Sequence, residues 1–295
     1  MSEPHPIFDS ALLTTRRNRA APNAGAHDFL LARVADDLAE RLAIVRRDFS
    51  SAVDLGSHHG VVGRRIGDLP NVAQPVSFDP AERLLAQAPG PRVLGPLDAL
   101  PFEPESLDLV VSGLSLHLVD DLPGTLIQIR QALKPDGLLL AALLGGRTLQ
   151  ELRAAWLMAE DEMLGGASPR VAPFADVRDL GGLLQRAGFA LPVADSDTVT
   201  VTYADPLALM RDIKGMGASN MLAERRRVPV TRGLLMRAAA IYAERFGLAD
   251  GRIPATFEIL TLTAWAPHAS QQKPLKPGSA QARLADVLGV PERKL

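Results

Sequence analysis

Apolar residues recur at two different spacings along the first half of the chain. Between His27 and Arg47 they fall three or four residues apart with charges between them, which predicts an amphipathic helix. Five short apolar runs follow, and each predicts a strand: residues 53–55, 76–80, 92–95, 107–116 and 138–144. Helical patterns lie between several of these runs. The alternation therefore predicts a parallel sheet with helices on both faces.

The second half of the chain interrupts this alternation with longer helical segments. The pattern predicts helices over residues 148–164, 176–186, 206–217 and 231–246, and strands over residues 189–203 and 255–265. We expect an arm (residues 1–26), a main domain (residues 27–267) and a tail (residues 268–295) with a short helical pattern at residues 282–288. Two insertions, residues 146–173 and 205–250, follow late strands, and we expect them to form a mobile cap over an acceptor pocket.

The arm carries three arginines, Arg16, Arg17 and Arg19, among polar residues and prolines. Termini are commonly loose unless they are tied down. The sequence leaves two interpretations open. The arm is either solvated or folds over a ligand-bound site.

The composition narrows the classes of function. The chain has 295 residues, of which 47% are hydrophobic, so it can bury one large core. A formal net charge of -2 gives no broad positive field, so we expect no nucleic-acid partner. The absence of cysteine excludes disulfides, zinc–thiolate sites and thiol nucleophiles. No apolar run approaches the roughly 20 residues of a membrane span, and the N-terminus has no signal-peptide core, so we expect a cytoplasmic protein.

The most informative stretch is the turn from Val53 to Gly60. An apolar run ends at Asp54, small residues follow, and a helical pattern begins after Gly60. Glycines let the backbone approach a bulky ligand, and the amides that open a helix can donate hydrogen bonds to it. The next predicted strand also ends in an acid, Asp79, about 20 residues later, which is the spacing that places a carboxylate against a ribose diol. The alternative is an ordinary strand–turn–helix corner.

The chain resembles the class I S-adenosylmethionine-dependent methyltransferases over residues 27–267. The resemblance rests on these features together with residues 97–102 and the helix–turn at residues 133–137. The resemblance implies an α/β, Rossmann-like, seven-stranded sheet that is mostly parallel with an antiparallel last strand. It also implies S-adenosylmethionine as the cofactor. Asp79 matches the ribose-binding acid of that family. The residues expected to bind the cofactor are Asp54, Gly56, Ser57, Gly60, Asp79, Pro80, Leu97, Asp98, Ala99, Ser112 and Gly113.

One residue departs from the family's pattern. His58 stands where the family has the middle glycine of its turn. Histidine adopts a positive φ only uncommonly, so the departure bears on how tightly the turn holds the cofactor.

The insertions carry a narrower likeness. Residues 145–153, 168–170, 217–220 and 276–280 are similar to bacterial relatives of the mitochondrial methyltransferase-like factor needed to assemble respiratory complex I. That family factor is associated with hydroxylation of an arginine in an iron–sulfur subunit. A second relative is the malonyl-acyl-carrier-protein methyl ester synthase of biotin synthesis. The likeness implies either a small-molecule acceptor or a protein acceptor such as a complex I iron–sulfur subunit.

Few side chains are candidates for the chemistry itself. His117 follows the fourth predicted strand and is the best candidate for a general base, although a histidine that only packs there is the plainer alternative. His58 and His59 have no further ligand at metal-binding spacing, so we expect no metal site. Four residues of the insertions are candidates for substrate capture, with a solvated helix face as the alternative: Arg147, Arg153, Arg170 and Asn220.

Three functions remain open at this stage. The first is an S-adenosylmethionine-dependent methyltransferase acting on a small molecule or a protein side chain. The second keeps the fold but hydroxylates a protein arginine in complex I assembly. The third is a non-catalytic assembly factor or chaperone-like binder. A nicotinamide dehydrogenase is disfavoured because the Gly-x-Gly-x-x-Gly spacing is absent.

Overall fold

A computed structural model describes residues 6–272 and residue 289 of the chain. Within that part, seven strands form one sheet: β1 (Ala52–Leu55), β2 (Val76–Asp79), β3 (Arg92–Leu94), β4 (Leu107–Gly113), β5 (Leu133–Leu144), β6 (Ala190–Tyr203) and β7 (Ile253–Trp265). The strand order is β3-β2-β1-β4-β5-β7-β6. Neighbours among the first five strands run parallel, and β7 is antiparallel to both β5 and β6. The prediction of a mostly parallel sheet with an antiparallel last strand is confirmed.

Helices cover both faces of this sheet. They are α1 (Ser10–Ala20), α2 (Phe29–Ala43), α3 (Val61–Gly67), α4 (Glu82–Leu85), α5 (Leu122–Ala132), α6 (Gln150–Leu164), α7 (Val177–Arg186), α8 (Pro206–Gly215) and α9 (Arg232–Phe246). One apolar core contains residues of α2, α3, α6 and α9, and the other contains residues of α5 and α7. Buried strand residues point alternately into the two cores, as expected for a sheet covered on both sides. The helical pattern at residues 282–288 lies outside the described residues.

Two strand ends differ from their predicted bounds by three residues or more. β4 stops at Gly113, because Leu114 has a positive φ of 52° and a short 3₁₀ helix follows at Leu116–Leu118. β5 begins earlier than predicted and includes Pro135 and Asp136, with a shift of register against β4. The apolar pattern of residues 107–116 does not change at Gly113, so it carries no signal for the end of the strand.

The arm is helical and packed. Asp9 caps α1 by accepting from the amide of Leu12, and the backbone around Phe8 pairs with Leu222 of the second insertion. The carboxylate of Asp120 accepts hydrogen bonds from the amides at residues 7 and 8. Of the two interpretations of the arm, the solvated one is therefore wrong for residues 6–26, which pack against the second insertion and Asp120.

The arm and both insertions meet in one small apolar cluster. Phe8 and Leu13 of the arm pack with Ala172 of the first insertion and with Met221 and Leu222 of the second. Leu118, just after β4, completes the cluster. The cap is thus joined to the arm and to the end of β4. No helix in residues 6–272 is both long enough and apolar enough to span a bilayer.

Candidate functional site

The turn after β1 brings the backbone into close contact with the end of β4. Gly56 and Gly60 have φ values of 70° and 81°, and a Cβ placed on Gly56 would overlap the side chain of Ser115. His58, which replaces the expected glycine, also has a positive φ, 52°. The histidine therefore adopts the left-handed conformation that a glycine would supply, and the turn keeps its shape despite the departure from the family's pattern.

Asp54 lies at the end of β1 with both of its oxygens shielded from solvent. Its Oδ2 accepts a 2.8 Å hydrogen bond from the amide of Gly63 in α3. Its Oδ1 has no hydrogen-bond partner in the described part of the chain, and neither has the nearby Ser57 hydroxyl. Burial raises the pKa of Asp54 to about 7, and the Gly63 amide only partly opposes this. An unpaired buried acceptor of this kind is costly unless a ligand supplies a donor.

Asp79 lies at the end of β2, next to this turn. Its carboxylate accepts from the amides of His58, at 2.9 Å, and Ala81, at 2.7 Å. The guanidinium of Arg17, from α1, lies 3.7 Å away, within ion-pair distance but beyond hydrogen-bond distance. Burial raises the pKa of Asp79, while the charge of Arg17 and the two amides lower it.

The predicted adenine loop lies beyond β3. Leu97 is buried and faces Gly56, whereas Asp98 and Ala99 are exposed. The side-chain amide of Gln128 fixes the loop by donating to the Asp98 carbonyl oxygen and accepting from the amide of Leu100, both at 2.8 Å. The loop therefore keeps a defined backbone while the Asp98 carboxylate remains open to solvent.

One residue predicted to bind the cofactor, Ser112, uses its side chain for a hydrogen bond within the sheet. The hydroxyl of Ser112 donates to the carbonyl oxygen of Leu55 at 2.7 Å, which ties β4 to β1. The carbonyl oxygen of Gly113 faces the turn and contacts the His58 ring. Ser112 thus holds the ends of β1 and β4 together. Of these two predicted residues, Gly113 is the one that borders the site.

A largely apolar cavity lies between the strand ends, the arm and the cap. His58 and His117 line it from the strand ends, Arg17 from α1, Phe174 from just after the first insertion, and Met216 from within the second. Apolar lining and a few polar groups are typical of small-molecule sites. Asp28 is the one acidic residue among the described residues that line the cavity, and it is paired with His59 at 3.1 Å.

The hydrogen bonds around His58 fix its tautomer. The Ser115 hydroxyl donates to the Gly56 carbonyl oxygen at 2.9 Å, so its oxygen is left to accept from Nε2 of His58 at 3.0 Å. The Gly113 carbonyl oxygen accepts from the same Nε2 at 3.1 Å. His58 therefore carries its proton on Nε2 and has a lone pair on Nδ1. Burial, followed by the charge of Arg17, lowers its pKa well below the usual value.

His117 has the same neutral tautomer for a different reason. Its Nδ1 accepts a 3.4 Å hydrogen bond from the amide of Leu144, so Nε2 carries the proton. Burial lowers its pKa to about 3, and its ring packs edge-on against Phe174. His117 therefore faces the cavity as a neutral hydrogen-bond donor.

Most of the polar candidates in the insertions hold the cap together. Arg170 binds the buried carboxylate of Glu160 and stacks on Trp156 at 4.7 Å. Arg153 donates to backbone carbonyl oxygens, among them that of Ala172 at 3.2 Å, and the side chain of Asn220 donates to Pro169 at 2.8 Å. Arg147 is exposed. Among the described residues no group of three histidine or acidic side chains has a metal-binding arrangement.

Sequence reasoning missed Arg17 and Ser115. Arg17 belongs to a cluster of three arginines, and nothing in their spacing shows which one points inward. Ser115 follows the apolar run of β4, and its contact with the turn arises only when β1 and β4 lie side by side.

Comparisons with known proteins agree with this geometry. Residues 53–141 match a family described as "Methyltransferase domain". The chain is 40% identical over 295 residues to the mouse protein named arginine-hydroxylase NDUFAF5, mitochondrial, covering 96% of this chain and 85% of that one. The zebrafish protein of the same name is 39% identical and is covered to 89% of its length. A malonyl-[acyl-carrier protein] O-methyltransferase of Halorhodospira halophila is 36% identical over 269 residues, with 88% of each chain covered.

Solved structures share the fold at low sequence identity. The YcgJ protein of Bacillus subtilis has a TM-score of 0.55 and 12% identity, covering 80% of this chain and 99% of that one. Phosphoethanolamine N-methyltransferase 2 of Haemonchus contortus, in complex with S-adenosyl-L-methionine, has a TM-score of 0.53 and 12% identity, covering 84% and 57%. The chain belongs to the class I S-adenosylmethionine-dependent methyltransferases, within the family that includes arginine-hydroxylase NDUFAF5.

Proposed function

We propose that the protein binds S-adenosylmethionine at the carboxyl ends of β1, β2 and β4 and transfers its methyl group to an acceptor held in the cavity. The observation that carries this proposal is the unpaired Oδ1 of Asp54, buried at the strand end where the family holds its cofactor. A buried carboxylate oxygen without a partner costs about 1 to 3 kcal/mol or more. A ligand that brings a cationic donor to this point removes that cost.

The residues present fit the cofactor. Asp79 is a buried carboxylate beside the glycine turn and suits a ribose diol. Leu97, Asp98 and Ala99 form a fixed loop that suits an adenine ring, and Gly56 and Gly60 supply the positive φ values that shape the turn beside it. Asp54 and Ser57 offer unpaired polar atoms to the amino-acid end, and Gly113 borders it.

When bound, S-adenosylmethionine supplies an electrophilic methyl group, so the chain's own part is to position the acceptor and to exclude water. His117 carries out the first part as a donor. Its Nδ1 is occupied by the Leu144 amide, and its low pKa keeps the ring neutral, so its Nε2–H can hold an acceptor oxygen in line. The apolar side chains of the arm and the cap serve the second part.

A second candidate is arginine hydroxylation, which is favoured by the name of the mammalian and fish relatives. The charged residues that line the cavity disfavour a cationic arginine side chain as the bound acceptor. Arg17 lines the cavity. The one acidic residue among the described lining residues, Asp28, is already paired with His59. A cationic acceptor would therefore find no free carboxylate among the described lining residues. We therefore favour methyl transfer over arginine hydroxylation as the reaction. A complex I subunit remains one of the candidate protein acceptors.

The test combines binding with product analysis. Calorimetry should detect S-adenosylmethionine binding to the purified protein, and a strain lacking the gene should lose a methyl-sized mass increment on a peptide or metabolite. The deletion strain complemented with the Asp79→Ala variant should still lack the mass increment. Loss of an oxygen-sized increment on an arginine peptide would instead establish hydroxylation. The absence of any mass change, with cofactor binding intact, would support a non-catalytic assembly role.

A further inference from the structure

Arg17 is a buried cation that is only partly neutralised. Its side chain is 3% exposed, and its Nη1 has no hydrogen-bond partner among the residues that the structure describes. Asp79 lies 3.7 Å from this atom, so it offers charge compensation but no hydrogen bond. Burial lowers the pKa of Arg17, and Asp79 opposes the change. Arginine nevertheless remains charged in proteins, so an unpaired donor here needs an explanation.

The surrounding contacts hold Arg17 in place. On one side, its neighbour Arg16 donates to the carbonyl oxygen of Asn220, and Gly217 packs against the backbone of Arg17 itself. On the other side, the side chain of Asn18 accepts a 2.9 Å hydrogen bond from the amide of Arg83. The inward position of the guanidinium is thus fixed by α1 as a whole.

The other basic side chains that line the cavity are already engaged. Arg170 is bound by Glu160, His27 is 2.6 Å from Asp212, and His59 is 3.1 Å from Asp28. His58 and His117 are neutral because their ring nitrogens are fixed by hydrogen bonds and their pKa values are lowered by burial. Among the described residues that line the cavity, Arg17 therefore has the one cationic donor that a bound anion can use.

We propose that Arg17 binds the α-carboxylate of the cofactor's amino-acid end, an assignment that rests on the proposed function. Two buried atoms of opposite charge lack a hydrogen-bond partner in the described part of the chain, Nη1 of Arg17 and Oδ1 of Asp54, and both side chains interact electrostatically with Asp79. An α-amino acid carries the complementary charges, a carboxylate and an ammonium group. The planar guanidinium fork suits a carboxylate in particular. The arm is then part of the cofactor site, and α1 contributes a residue that discriminates for the amino-acid end.

The experiment compares two ligands that differ in one group. S-adenosylhomocysteine carries the carboxylate, and its decarboxylated analogue S-adenosyl-3-thiopropylamine keeps the ammonium group without it. Arg17→Met should lower the affinity for S-adenosylhomocysteine roughly tenfold to hundredfold, because one charge-assisted contact is lost, and should leave the affinity for the analogue unchanged or higher. Arg19→Met is the matched control, since Arg19 lies on the same helix and is exposed. It should change neither affinity.

The outcomes distinguish a failure of the Arg17 assignment from a failure of the proposed function. Equal losses for both ligands in Arg17→Met would overturn the assignment and leave Arg17 a structural role. If thermal melting shows that Arg17→Met does not fold, the affinities of the unaltered protein for the two ligands provide the test. Equal affinity for both ligands would overturn the assignment. Clearly tighter binding of the ligand with the carboxylate would support it. If the unaltered protein binds neither ligand, the proposed function itself fails, and the assignment fails with it.

Discussion

The hydroxyl of Ser115 donates a 2.9 Å hydrogen bond to the carbonyl oxygen of Gly56, so the end of β4 is tied directly to the turn after β1. This contact leaves no room for a side chain at position 56. It also leaves the Ser115 oxygen free to accept from His58, which holds the histidine ring beside the cavity. The left-handed turn and the histidine that departs from the family's pattern are therefore stabilised by the same serine.

Gly56→Ala should destabilise the folded protein by about 2 to 4 kcal/mol. The new Cβ overlaps Ser115, and a positive φ adds roughly 1 kcal/mol or more of strain. Chemical denaturation measures the change. Gly25→Ala is the control, because a Cβ there meets no atom within 4 Å. A Gly56→Ala protein as stable as the parent would show that the turn relaxes freely.

Asp79→Asn should weaken binding of S-adenosylhomocysteine by roughly tenfold or more, because hydrogen bonds to a charged group contribute about 1.5 to 3 kcal/mol each. Calorimetry on the folded variant gives the change in affinity. Asp48→Asn, at an exposed position, provides the control. Unchanged affinity in Asp79→Asn would place the ribose elsewhere.

Asp54 should make the ligand-free protein less stable as pH rises. Burial raises its pKa in the folded state from 3.8 to about 7, so the folded state holds the proton more tightly than the unfolded state does. Its contribution to the free energy of unfolding is therefore present at low pH and is lost as pH rises through this window, at about 1.4 kcal/mol for each pKa unit. Asp54→Asn should remove this dependence and be the more stable protein at alkaline pH, while binding S-adenosylhomocysteine less tightly.

Denaturation of both proteins across the pH range tests this. The relevant quantity is the difference between them, since other groups titrate in both. Parallel stability curves would contradict the buried, unpaired carboxylate.

His117 should remain neutral with its proton on Nε2. Its pKa is lowered to about 3 by burial, and its Nδ1 accepts from the Leu144 amide. The ¹⁵N chemical shifts of labelled histidine should show this tautomer without titration between about pH 5 and 8. A midpoint near the usual value for His117 would contradict the neutral donor and support the general-base role predicted from the sequence.

The arm and both insertions should gain protection together when S-adenosylhomocysteine binds. They share one apolar cluster, and Arg17 connects the arm to the strand ends. Hydrogen exchange should slow in residues 10–20, 146–173 and 205–250. Slowing confined to the strand ends would show that the cap is a rigid part of the domain.

Sequence patterns alone were sufficient to predict the strands of the sheet and the order of the helices and strands along the chain. Continuous apolar runs and period-3.6 apolar patterns are local properties, so they locate buried strands such as residues 138–144 and amphipathic helices such as α9 within a few residues. Local chemistry likewise marked Asp54, Gly56 and Asp79, because a glycine turn and an acid at a strand end are adjacent in the chain. The helix of the arm gave no such signal, since its buried face is Leu13 and Arg17 and not an apolar stripe.

Which polar groups face the candidate site depends on contacts that form only when the chain folds. His117 was identified from its position after a strand, but its tautomer depends on the amide of Leu144, 27 residues away. Arg17 meets Asp79 because the arm packs across the sheet edge, and Ser115 meets Gly56 because β1 and β4 are neighbours. Hydrogen bonds and desolvation act over a few ångströms between residues that are far apart in the chain. Spacing along the chain contains no record of those distances, so protonation states and unpaired donors emerge only after folding.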